Sequence, residues 1–174
     1  MEMRNRTVRI ILFLILVVAM QLATERIDKS LGSSGEEGKN SSQTKYVPFP
    51  NEMKKYQGYP WEILKLPDFN KSYKTIIGSR VKEEWLRLLD GPSSKNKMIA
   101  TEKGNLIVVN SCKQNYCDTN YILILFDPLM NKCWSLLIEG RVSAWLGDPD
   151  DSMKSLLRDV EKLTWPSRPS DRTN

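Results

Sequence analysis

One run of six side chains limits the folds open to this chain more than any other feature: Tyr121-Ile122-Leu123-Ile124-Leu125-Phe126 is apolar at every position. A strand turns alternate side chains to opposite faces, so an unbroken apolar run predicts a strand covered on both sides, central in its sheet. Its neighbours supply the rest of that sheet. Lys97–Thr101 and Leu106–Asn110 flank Glu102-Lys103-Gly104-Asn105, a hairpin turn. Asp127-Pro128 begins a turn after the central run, Cys133–Glu139 makes the next strand, and Gly140 precedes a last one, Arg141–Leu146.

Helices on both sides of these strands in sequence provide the cover. Pro67 opens a helix whose Phe69, Tyr73, Ile76 and Ile77 fall at i, i+4, i+7 and i+8, and Gly78 stops it. Ser79 is placed to cap a second, with Val81, Trp85, Leu88 and Leu89 on one side, ended by Gly91-Pro92. Ser152–Leu163 carries Met153, Leu156, Leu157, Val160 and Leu163 as one apolar stripe. Trp85, Trp134 and Trp145 lie in periodic elements and are expected in the core. The predicted fold is α+β: an antiparallel sheet of about five strands with helices packed on it.

The ends of the chain differ from this middle. Arg4, Arg6 and Arg9 precede an apolar run from Ile10 to Met20, the pattern of a secretory signal peptide over residues 1–23. A spanning helix needs about 20 apolar residues, so an uncleaved membrane anchor is the weaker reading. No cysteine near the run offers a lipidation site. Residues 24–60 read as a linker and an irregular lead-in: in Ser30–Lys45 eight residues are Ser or Gly and Leu31 alone is apolar, which cannot offset the entropy of ordering. Residues 61–163 form the expected domain, and 164–174, with Pro166 and Pro169, the expected frayed tail.

Composition decides which chemistries are open. The chain has no histidine, so Ser-His-Asp triads, Cys-His pairs and His-bearing zinc sites are excluded. No G-x-S-x-G nucleophile signature occurs; a hydrolase using only Asp and Glu stays open, with nothing pointing to it. The chain has 26 Lys and Arg against 21 Asp and Glu; without residues 1–23, which hold three Arg and one Glu, 23 and 20 remain, a net charge of +3. The cations are interspersed with acids, so no nucleic-acid partner is expected. Asp148, Asp150 and Asp151 stand at a helix start, where acids cap free amides, and they lack the EF-hand spacing. No metal and no cofactor are expected.

Cys112-Lys113-Gln114-Asn115-Tyr116-Cys117 is the sharpest local feature. In an exported chain two cysteines so spaced can close a small loop. The disulfide is then either a plain staple or the base of a preorganised loop, Lys113, Gln114, Asn115 and Tyr116, that docks into a partner. Cys133, in an apolar strand beside Trp134, reads as a small buried hydrophobe, with a bridge to a second chain as the alternative.

The order of these pieces resembles the bacterial periplasmic inhibitors of vertebrate lysozyme, the Ivy family. The likeness runs from about Trp61 to Val160 and rests on the Pro67–Ile77 helix, the Trp85 segment ending at Gly91-Pro92, and Ser111-Cys112-Lys113 with Cys117. It continues through Trp134-Ser135-Leu136-Leu137 and Trp145-Leu146-Gly147-Asp148-Pro149-Asp150-Asp151. The resemblance implies a small, non-enzymatic periplasmic protein, often a homodimer, whose Cys112–Cys117 loop blocks the cleft of lysozyme or another peptidoglycan-cleaving enzyme. Family loops read Cys-Lys-Pro-His-Asp-Cys; here Gln114, Asn115 and Tyr116 replace Pro, His and Asp. An envelope binding or scaffold protein that keeps the fold without inhibiting is the alternative.

Overall fold

The computed structural model describes residues 44–166. The signal peptide expected over 1–23 and most of the Ser/Gly-rich linker lie outside the described residues.

Six antiparallel strands form one sheet in sequence order: β1 (Tyr46–Val47), β2 (Lys97–Thr101), β3 (Gly104–Cys112), β4 (Asn120–Asp127), β5 (Lys132–Glu139) and β6 (Val142–Leu146). The helices are α1 (Pro60–Ile63), α2 (Pro67–Ile77), α3 (Glu84–Leu88) and α4 (Asp151–Thr164), with 3-10 segments at Asn51–Tyr56 and Gly78–Lys82. Among the described residues no helix is long and apolar enough to cross a membrane.

β4 lies between β3 and β5, and its apolar run is buried throughout. Ile122, Ile124 and Phe126 face one core with Phe69, Tyr73 and Ile77 of α2, Ile63 of α1 and Tyr56. Tyr121, Leu123 and Leu125 face the other, with Leu157 and Val160 of α4. Each such side chain withdrawn from water stabilises by about 1.5–3 kcal/mol, so the helices on the two faces are what let six consecutive apolar residues form one strand. Tyr73 donates its hydroxyl to the Leu86 carbonyl at 2.7 Å inside the first core, joining α2 to α3.

Three expectations are corrected. The strand count is six because Tyr46–Val47 pairs with Ile99 and Met98 at the sheet edge. Residues 51–60 hold a 3-10 segment and the start of α1, and they bring Tyr56 into the core. The helix expected after Ser79 splits, because Glu83 is extended at ψ 117 and breaks the hydrogen-bond run. Trp134 is buried, whereas Trp85 and Trp145 are half-buried at the borders of the two cores. At the other end α4 includes Thr164, whose hydroxyl lies 2.9 Å from the Tyr46 hydroxyl, and Trp165 packs on Tyr121 with ring centroids 4.7 Å apart. Packing therefore continues through Thr164 and Trp165.

Candidate functional site

The central strands build the site. β3 and β4 pair from Ile107↔Phe126 to Cys112↔Tyr121, and the chain between them, Lys113–Thr119, leaves the sheet as a finger. Its stem is buried: Ser111 is inaccessible and Cys112 is 5% exposed. Its tip is open: Lys113, Gln114 and Asn115 are exposed and Tyr116 is 55% exposed.

Cys112 and Cys117 are bridged, with Cα atoms 4.9 Å apart, so the closed loop read from the spacing is present. Backbone bonds shape it further. The Tyr116 N–H donates to the Lys113 carbonyl at 2.9 Å, and Asn115 between them has φ 65. Gln114 is not among the positive-φ residues, which makes Lys113–Tyr116 a type II turn with Asn115 at the position requiring left-handed backbone. Below it, Thr119 and Asn120 donate to the Tyr116 carbonyl at 3.0 and 2.7 Å, and Lys113 donates to the Asn120 carbonyl at 2.9 Å. The neighbouring hairpin joins in, the Gly140 N–H reaching the Thr119 carbonyl at 2.8 Å. The Lys113 ammonium lies 5.6 Å from the Tyr116 ring centre, close enough for the ring face to attract the cation.

Beside the finger a groove of about 490 Å³ is lined by Glu83, Glu84, Trp85, Asp90, Lys113 and Gln114. Sequence reading did not find this groove, because its walls come from segments that only the fold brings together. A larger cavity of about 750 Å³ lies at the opposite end of the sheet, where Ser72 and Ile76 of α2 meet Asn131, Cys133 and Gly147. The thiol on its wall is not activated: burial pushes Cys133 far above its usual range and favours the protonated form. Cys133 is thus the buried hydrophobe expected, unpaired within the chain.

The three aspartates do not converge on a site. Asp150 is the N-cap of α4, accepting from the Met153 N–H at 2.8 Å; Asp151 pairs with Lys154 at 3.1 Å; Asp148 adopts φ 52 in the preceding turn. Among the described residues no group of His, Cys, Asp and Glu is arranged to hold a metal ion.

The family model described as inhibitor of vertebrate lysozyme (Ivy) matches residues 68–168, more than half of the chain. The chain belongs to that family. The match takes in α2, the finger and α4. Among curated proteins no match is found. Membership in Ivy gives a lysozyme inhibitor role in general terms, with lysozyme as the partner class.

Proposed function

We propose that this chain is exported to the periplasm and inhibits a lysozyme-like muramidase by setting the Cys112–Cys117 loop into its active-site cleft. The observation that carries this reading is the finger itself: an exposed tip on a buried, disulfide-closed stem at the centre of the sheet. Such a loop enters a groove with little entropy left to lose. Muramidase clefts of the lysozyme kind hold two carboxyl groups, one protonated and one ionised. Lys113 supplies an ammonium and Asn115 and Gln114 supply amide donors toward them, while Tyr116 covers the rim with apolar area. The general inhibitor role of the family supports the same direction.

The test is a turbidity assay of cell-wall lysis by a panel of vertebrate and bacterial muramidases, with purified protein in micromolar excess. Lysis slowed for at least one enzyme, and restored by Lys113→Ala with Asn115→Ala, is the expected result. Lysis unchanged across the panel removes the proposal.

A second reading has its own motivating observation: with no histidine in the chain, the loop cannot gain an imidazolium on entering an acidic cleft. That favours an envelope binding or scaffold protein that keeps the fold. A non-hydrolytic periplasmic partner whose binding survives Lys113→Ala with Asn115→Ala decides for it.

A further inference from the structure

Among the described residues, the stem of the finger has an edge that no strand pairs. β2 stops at Lys97↔Val108, while β3 continues to Cys112. Along that stretch β3 is met by the chain between α3 and β2. The Cys112 N–H donates to the Pro92 carbonyl at 3.2 Å, and Asn110 Nδ2 donates to Ser94 Oγ at 2.9 Å. This connecting segment is pinned at both ends. Leu89, fully buried at φ 50, closes α3. At the other end Asn96 donates its N–H to the Gly58 carbonyl at 2.9 Å and its amide to the Tyr56 carbonyl at 3.0 Å.

The closest approach is at Gly91. A Cβ placed there would lie 1.9 Å from the Cys112 carbonyl oxygen and 3.1 Å from its carbon. Both are backbone atoms, which cannot swing aside as the end of a long side chain can. That carbonyl belongs to the same peptide as the Lys113 N–H, which donates to the Asn120 carbonyl at 2.9 Å on the opposite side. The peptide joining stem to tip is therefore held between β4 and the bare α-carbon of Gly91.

We propose that Gly91 is a positioning residue for the finger: contact between its bare backbone and the Cys112 peptide, secured by the Pro92 bond, sets the angle at which Lys113–Tyr116 leave the sheet. This rests on the reading that the finger enters a muramidase cleft. A small turn of the Cys112 peptide is carried outward through the disulfide-closed loop to Asn115, and a rigid plug that leaves at the wrong angle no longer fits.

The fold supplies a matched control. Gly147, at the other end of the sheet, would place a Cβ 2.2 Å from the Cys133 carbonyl oxygen, and it has φ 82 besides. Gly147→Ala thus strains the fold at least as much, by the clash and by its φ, without touching the finger. The experiment compares Gly91→Ala with Gly147→Ala for melting temperature, inhibition of a susceptible muramidase, and hydrogen exchange of the Cys112 and Lys113 amides. Both variants are expected to melt lower than wild type. Gly91→Ala alone is expected to weaken inhibition by roughly tenfold or more and to speed exchange at those two amides. Inhibition by folded, disulfide-bonded Gly91→Ala equal to wild type overturns the proposal, as does equal weakening by both variants. If wild type inhibits no muramidase, the functional reading fails. The positioning claim then stands or falls on amide exchange, unchanged rates in Gly91→Ala counting against it. If Gly91→Ala does not fold, Pro92→Gly loosens the same contact without a clash and is judged by the same outcomes.

Discussion

Asn115 serves the finger twice, as backbone and as donor. At φ 65 it occupies the left-handed region that Asn, Asp and His enter far more readily than other side chains. Family loops carry His where this chain has Asn, so Asn115→His should fit with the turn unchanged. It would add a group that becomes cationic as pH falls through about 6.5. Inhibition by Asn115→His is expected to tighten from pH 8 to pH 5 relative to wild type, a step the histidine-free chain lacks. Measuring both proteins against one muramidase at each pH cancels the enzyme's own titration. Gln114, at the preceding turn position, suits proline, whose fixed φ matches a type II turn there. Gln114→Pro should raise stability by about 0.4–1 kcal/mol by restricting the unfolded chain, and should strengthen inhibition. Thermal melts with inhibition constants check both effects, and a lower melting temperature would count against the turn assignment.

At the scale of elements, patterned segments were legible in the sequence, and those defined by tertiary neighbours were not. The apolar run of β4 announced a strand covered on both faces, and α2 begins and ends where Pro67 and Gly78 place it. β1 has two residues, too few to show a period, and exists through its pairing with β2. The 79–89 segment has helical spacing of its apolar residues, yet the chain extends at Glu83, which spacing alone does not register. At the site, the cysteine spacing revealed the closed loop, but nothing in the sequence says that Gly91 lies against Cys112. The cap of α4 was legible, and it makes a prediction. The Met153 amide and then the Ser152 hydroxyl hold the Asp150 carboxyl below its ordinary range. A carboxyl depressed in the folded state contributes stability above its unfolded value, and that contribution is lost as pH falls through the folded one. Asp150→Asn keeps an acceptor that does not titrate. Its melting temperature should therefore lie below wild type at neutral pH, with the gap closing as pH falls below the ordinary aspartate value of about 3.9. Melts between pH 2 and 7 would show a gap independent of pH if the carboxylate charge were irrelevant.

For the whole molecule, the question is how far the finger and the body that carries it can be separated. The body has two apolar cores on the faces of the sheet, and of the loop only the bridged Cys112 and Cys117 pack into one of them. The disulfide closes only the short loop at one end of the β3–β4 pair. Restricting a ring this small stabilises the fold by roughly 2 kcal/mol in the chain-entropy picture, less than the burial of two core side chains. Removing the bridge should therefore leave the sheet formed while freeing the tip. In the Cys112→Ser, Cys117→Ser double variant, far-UV circular dichroism should be preserved and melting should remain cooperative at a lower temperature. Inhibition should fall by far more than the lost stability implies, because the released loop must be ordered again as it binds. Reducing agent should reproduce this in the wild type and leave the double variant unaffected, which separates the bridge from a direct effect of serine. Inhibition surviving both treatments would mean that the body binds the enzyme, and that the finger is an ornament of the fold.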